Sequence, residues 1–356
     1  MKKLIFKTLL FSTPFFVSFI VLKYFYIHYQ GDLFRLGYYT HNYNYEWKKL
    51  FNSDQYKRKR HFDLVSEIDL SKKHQYDFLA IGDSFTEQGA YSHQDFLAEY
   101  TGKKVLQLDR FYHDNPLETV KRLAKGDFFE KIKCKYIILQ SVERYITERG
   151  YFLADQNKNN INISSLDSIN AKREKDKVNE KLNLEYKINF FSKDVIRLPL
   201  YNFLYLFSDN AYISKTYHVK TNKSLFSTNN NFCLFYKDDL DFRKKRYDRS
   251  AIEQTNKYLN NLSKILNSKN IKLITLISPD KYDIYYPYFQ NKDKYPAPIF
   301  FNIFNSLPKN YIYLDSKSIL KEKINKEKDV YLFDDTHWGG ALAAKSIALN
   351  IKKLLK

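Results

Sequence analysis

The run Tyr76-Asp77-Phe78-Leu79-Ala80-Ile81 ends in Gly82-Asp83-Ser84-Phe85, and this junction constrains the fold more than any other stretch of the chain. A short, apolar and partly aromatic run suits a strand buried on both faces, as in a parallel sheet. Gly82 then permits a sharp turn that leaves Ser84 at the exposed end of the strand. A second motif, Asp334-Asp335-Thr336-His337-Trp338, follows 250 residues after the serine, just before the last helical pattern.

Together the two motifs offer a nucleophile, a base and an orienting carboxylate. A serine hydroxyl is a weak nucleophile until a neighbouring base takes its proton. His337 can do so if a carboxylate fixes its tautomer and stabilises the imidazolium. Asp334 and Asp335 both lie close enough in sequence to fold back onto the ring, so spacing excludes neither. Taken singly, the motifs have a plainer explanation: Gly-Asp-Ser as a turn and Asp-Asp-Thr as a helix N-cap.

Other segments predict an alternating α/β core. Residues 103–108, 136–139, 271–277 and 311–314 read as strands. Residues 250–267 open on a Ser250-x-x-Glu253 capping box and carry Ile252, Leu259, Leu262 and Leu266 at helical spacing. Ala344, Ile347, Ala348, Ile351, Leu354 and Leu355 line one face of a closing amphipathic helix. This alternation implies a flavodoxin-like, three-layer parallel sheet, with ligands at the strand C-terminal edge where Ser84 and His337 would meet.

The pattern breaks between about 150 and 247, which reads as a mid-chain insertion. Residues 155–182, rich in Asn, Lys, Asp and Ser, read as a loop. Residues 198–207 are apolar and aromatic but too short to span a bilayer, and suit a lid, a membrane contact or the core of the insertion. Tyr282, Tyr285, Tyr286 and Tyr288 could stack on sugar rings, although the whole chain is rich in Tyr and Phe.

The two motifs resemble those of the SGNH (GDS-type) hydrolase superfamily, with Gly-Asp-Ser near the start of the domain and Asp-x-x-His near its end. In that pattern Asp334 is the aspartate. The Thr336-His337-Trp338 ending and Pro279-Asp280-Lys281 look more like the alginate O-acetyltransferase-like proteins of bacterial polysaccharide assembly, in which Asp-Thr-His-Trp makes Asp335 the aspartate. The serine block comes first here, the reverse of the order in the alginate proteins. The superfamily's oxyanion glycine and asparagine blocks are not evident either. Gln140 and Arg144 remain as oxyanion candidates beside the Ser84 backbone N–H, and Asp83, Lys281 and Trp338 as further oxyanion or substrate candidates, with an ion-pair partner as the plainer reading of Lys281. Glu143-Arg144 resembles the acetyltransferase branch, and its plainer reading is a local ion pair.

Residues 4–26 are mostly apolar, interrupted by Lys7 and Lys23, and match the roughly 20 residues a bilayer span needs. Lys2 and Lys3 would keep the N-terminus cytoplasmic and place the remainder outside. No small-residue cleavage pattern follows, and residues 23–26 read as an interfacial belt, which favours an uncleaved anchor over a signal peptide. The expected organisation is an anchor over 1–28, a linker over 29–75 and a catalytic domain over 76–356. A formal charge of +19 suits an anionic polymer or a membrane surface. No nucleic-acid motif is present, and the scattered His and Cys give no metal or cofactor pattern. Cys134 and Cys233 could form one disulfide in an oxidising compartment.

The resemblance implies a serine acyltransferase that O-acetylates a cell-surface or exported polysaccharide, with an integral-membrane protein supplying the acyl group. A carbohydrate esterase differs only in using water as acceptor. A non-catalytic glycan-binding or assembly protein would keep the fold without the chemistry.

Overall fold

The computed structural model describes residues 1–25, 31–33, 58–151, 160–177, 193–212, 214–227, 231–241 and 246–355. The side chains of the belt expected at 23–26, and much of the linker expected at 29–75, lie outside the described residues.

The strands of the main sheet and of a hairpin are β1 Asp63–Leu64, β2 Phe78–Ile81, β3 Val105–Gln107, β4 Tyr136–Val142, β5 Thr216–Lys220, β6 Phe232–Tyr236, β7 Lys272–Ser278 and β8 Ile312–Leu314, and two further two-residue strands, His74–Gln75 and Ile132–Lys133, pair with each other. Six of them make one parallel sheet in the order β1-β3-β2-β4-β7-β8. β2 is fully buried and pairs with β4 from Phe78↔Tyr136 to Ile81↔Leu139. The chain winds outward from β2 to one side through β3 and returns to the other through β4, so the order reverses at β2/β4. In open parallel sheets the crevice beyond the strand C-termini at such a reversal is where ligands bind.

Side chains alternate along the strands into two cores. Phe78, Ala80, Ile138, Ile274 and Leu276 face one, and Leu79, Ile81, Ile137, Leu139, Leu273 and Ile277 the other. The first face is covered by α2 (His93–Thr101), α9 (Ser316–Lys326) and α10 (Lys345–Leu354). The second is covered by α3 (Pro116–Lys125), α4 (Glu143–Tyr151), α7 (Arg249–Asn267) and α8 (Phe300–Ser306). This is the expected three-layer α/β architecture with a parallel central sheet.

Details depart from expectation in instructive ways. The cap of α7 is Asp248, whose carboxylate accepts from the N–H groups of Ser250 and Ala251, so the capping box at Ser250 is not used. Ala344, just before α10, and Ile347, Ala348 and Ile351 within it are buried, while Leu354 at its end is exposed. Residues 163–177, expected as loop, form helix α5 (Ile163–Lys177). Its polar composition is tolerated because Ile161, Ile163 and Leu166 insert into the second core and leave the polar positions outside. β5 and β6 form an antiparallel hairpin whose Val219, Cys233, Leu234 and Phe235 join the first core. Helix α6 (Asp194–Leu204) buries Val195, Leu198 and Tyr201 but exposes Leu200 and Phe203, so the 198–207 run is only partly core.

At the N-terminus, α1 (Lys2–Phe25) is 24 residues long, and its Lys2–Ile20 segment has mean hydropathy 1.5 with none of it buried. At 1.5 Å per residue the helix reaches roughly 36 Å, enough to cross a hydrocarbon core of about 30 Å. Such a helix is compatible with an anchor or a signal sequence.

Cys134 and Cys233 are both free and buried, in the second and first cores respectively. The sheet lies between them, so they do not pair. Burial also pushes both thiols up to about 12. Thiol titration should therefore find no reactive cysteine in the folded protein and two after unfolding, with the same thermal midpoint with and without reductant.

Candidate active site

Two loops converge beyond the C-terminal ends of β2 and β7. In the first, Gly82 follows β2 directly. Its φ is not in the left-handed region; space is what demands glycine, because a Cβ there would lie 2.4 Å from Gln140 Oε1 and 2.2 Å from Thr86 Oγ1. Gln140, on β4, accepts from the Asp83 N–H at 2.9 Å and from Thr86 Oγ1 at 3.1 Å, and donates to Ser278 Oγ at 2.9 Å. Both ends of its amide are thereby engaged in bracing the turn, and the side chain is fully buried, which gives Gln140 a bracing role in place of the oxyanion role expected for it.

Asp83 is likewise turned inward. Its carboxylate accepts from the Val142 N–H at 2.7 Å and from Arg149 Nη1 at 2.9 Å. Burial works to raise its pKa, but the Arg149 guanidinium and these hydrogen bonds outweigh burial and hold it below the usual carboxylate range. Asp83 thus fastens the serine turn to β4 and α4, and is not placed to meet substrate. Arg149 carries no motif signal; only the fold brings it under Asp83.

The second loop is gripped from within by Lys281. This fully buried ammonium donates to the carbonyls of Leu332 and Phe333 at 2.6 Å each and of Asp335 at 3.1 Å. Burial pulls its pKa down, against the opposing pull of Cys233 and the nearby aspartates. Trp338 is also internal: its Nε1 donates to Gln88 Oε1 at 3.1 Å and its ring meets Phe85 edge-on at 4.7 Å. Arg144 is paired with Asp239 and, at 3.0 Å, with Asp280. Glu143 does not pair with it; its carboxylate accepts from the Asp280 N–H at 2.9 Å. Arg144, Trp338 and Lys281 are therefore occupied within the protein. Tyr282 and Tyr285 are buried as well, with Tyr282 donating to the Pro296 carbonyl and Tyr285 accepting from the Tyr331 N–H, so neither presents a face to sugar.

Between these loops, His337 Nε2 lies 2.6 Å from Ser84 Oγ, and His337 Nδ1 lies 2.5 Å from Asp335 Oδ1. An Nδ1–H donated to the carboxylate leaves the Nε2 lone pair facing the hydroxyl, the tautomer a general base needs. Asp334 points elsewhere, accepting from the Gly31 N–H at 2.7 Å. The electrostatics divide the two carboxylates in the same sense. Burial, then the adjacent Asp335, raise Asp334 to about 7; burial also opposes charge on Asp335, but His337 outweighs it and holds Asp335 well below the carboxylate range. For His337, burial favours the neutral ring, and Asp335 overcomes this to leave the pKa above 6.5.

Sequence reasoning missed Gly31-Asp32-Leu33, which packs onto this loop from the N-terminal side. Asp32 accepts from the Thr336 N–H at 2.8 Å and from Thr336 Oγ1 at 2.5 Å, and the Leu33 N–H donates to the Asp334 carbonyl at 3.0 Å. A Cβ on Gly31 would fall 2.2 Å from that same carbonyl oxygen. Burial, then Asp335, raise Asp32 to about 6. Asp32, Asp335 and His337 bring donor atoms within 4.8 Å of one another, a set a cation could use, but their polar atoms already bond Thr336 and each other.

The Ser84 N–H has no hydrogen-bond partner among the described residues and sits beside its own hydroxyl. A hydroxyl, a base with the correct tautomer, a half-buried carboxylate and one free N–H can support attack on an ester carbonyl.

Residues 233–356 match the family model described as the SGNH hydrolase-like domain of acetyltransferase AlgX. The match agrees with the resemblance read from the motifs and supports an acetyltransferase-like or SGNH-hydrolase-like function; it contains the histidine loop and Lys281 but not Ser84. No curated protein and no solved structure matches the chain.

The two aspartates are separable by substitution. Asp335→Asn should lower kcat by about 10⁴, through loss of the correct tautomer. Asp334→Asn still accepts from Gly31 and should stay within roughly tenfold of wild type. Because the folded Asp334 carboxyl lies above its ordinary value, the stability it contributes is full below pH 3.8 and is lost as pH rises through about 7. Denaturant melts of Asp334→Asn should accordingly show a flatter decline between about pH 4 and pH 7 than wild type, and a parallel course above that.

Proposed function

We propose that the chain is a membrane-anchored, extracytoplasmic serine acyltransferase that O-acetylates a cell-surface or exported polysaccharide through an acyl-Ser84 intermediate. The observation that carries this reading is the unbroken line from Asp335 through His337 to Ser84. The family match supports acetyl transfer, α1 with its flanking Lys2 and Lys3 supports an outward-facing domain, and the +19 charge suits an anionic polymer.

In the first half-reaction His337 Nε2 takes the Ser84 proton as Oγ attacks the acyl carbonyl. Negative charge develops on the carbonyl oxygen, where the Ser84 N–H can donate, while Asp335 stabilises the imidazolium. Collapse breaks the bond to the donor, and His337 protonates the leaving group. In the second half-reaction a sugar hydroxyl loses its proton to His337 and attacks acyl-Ser84, and the proton returns to Oγ. Water in place of the sugar gives an esterase by the same steps. The donor in this proposal is an integral-membrane acyl carrier.

Intact-mass analysis of the full chain in detergent, treated with a chromogenic acetyl ester, should show one acetyl group that is absent in Ser84→Ala. Its discharge onto an added oligosaccharide establishes transfer, and discharge to water at the same rate with or without the sugar replaces transfer by hydrolysis. A folded protein that forms no adduct overturns the covalent reading.

The active base is neutral His337, so the rate of acetylation should fall as pH drops through a pKa above 6.5. Asp335→Asn removes the interaction that raises this pKa, and its residual rate should show the acidic limb displaced downward.

A further inference from the structure

Helix α6 presents a second apolar surface. Ile196, Leu200, Phe203 and Phe207 follow one another at intervals of four, three and four residues, which is one stripe along a helix and the turn that continues it. All four are exposed, and Leu206 beside them is 74% exposed. Val195, Leu198 and Tyr201 on the opposite side are buried, so the stripe is in excess of what the fold needs.

Its position relative to α1 says what covers it. The Ser18 hydroxyl of α1 donates to the Val195 carbonyl at the start of α6. If the apolar Lys2–Ile20 segment of α1 is what crosses the bilayer, its outer end lies only two residues, about 3 Å, beyond Ser18, so this contact brings the start of α6 to the outer boundary of the span. Amphipathic interfacial helices rest with their apolar face about 5–10 Å into the boundary between headgroups and acyl chains. Exposed Lys193 just before α6 and Lys215 beyond its following turn supply cations that suit anionic headgroups.

We propose that α6 and the turn after it lie in the outer boundary of the bilayer beside α1, with Ile196, Leu200, Phe203, Leu206 and Phe207 in contact with lipid. The inference rests on the anchoring part of the proposed function. It makes the attachment two-footed: one helix spans the membrane, and a second, from the middle of the chain, lies on it.

The test places a nitroxide label on the full-length protein in vesicles of phosphatidylethanolamine and phosphatidylglycerol. Cys134 and Cys233 are buried and do not compete for the label. F203C and F207C report on the stripe, L10C on α1, and K321C on an exposed site of α9. F203C and F207C should collide more with dissolved oxygen than with a water-soluble nickel chelate, as L10C does, and K321C should show the reverse. Nickel-accessible labels at 203 and 207 with a lipid-buried label at 10 overturn the inference and leave the anchor intact. A nickel-accessible label at 10 overturns both. Labels at 203 and 207 shielded from oxygen and nickel alike overturn the lipid assignment in favour of a protein neighbour.

Discussion

The buried ammonium of Lys281 is the constraint on which the site depends. It is satisfied by three backbone carbonyls of one loop, Leu332, Phe333 and Asp335, instead of by a carboxylate. A buried cation without a tight ionic partner is costly unless its donors are all used. Here that requirement curls residues 332–335 around a single point. The curl leaves the side chain of Asp335 free to turn toward His337, and that of Asp334 toward Gly31.

The serine side is organised by a different device. There a buried carboxylate, Asp83, is surrounded by donors from Arg149, Val142 and Phe85, and the Gln140 amide ties Asp83 and Thr86 to Ser278. One loop is thus held by a cation that takes up carbonyls and the other by an anion that takes up N–H groups. Each polarity matches the backbone groups the respective turn leaves unpaired. The reactive atoms belong to neither lock, so Ser84 Oγ and His337 Nε2 keep their bonding capacity for each other and for substrate.

The parallel sheet and the meeting of the two motifs were legible because both depend on local pattern: a short apolar run before Gly82, and helical periodicity after Ser250 and Ala344. The division of labour between Asp334 and Asp335 was not. It turns on Gly31, some 300 residues away, whose role is to be small and to offer one N–H. Arg149 and Asp32 were invisible for the same reason, since a partner supplied by tertiary structure leaves no spacing to read. Gln140 and Arg144 were correctly placed near the strand ends but misjudged, because a polar side chain at a sheet edge is as readily consumed in bracing as left free. The Tyr282 and Tyr285 phenols illustrate the converse: aromatic density reads equally as a sugar platform or as core, and burial decides.

The strap formed by Gly31, Asp32 and Leu33 also sets a length. Only residues 26–30 separate its first residue from the end of α1, so six peptide steps, at most about 20 Å of extended chain, join that end to the loop carrying the base. If α1 sits in a bilayer as proposed, the reactive serine operates within a thin layer above the lipid and cannot sample the surrounding volume. A membrane-borne acyl donor is then met by diffusion in two dimensions, at a local concentration fixed by a short leash, and a long polymer chain is modified only along the part of it that passes through that layer.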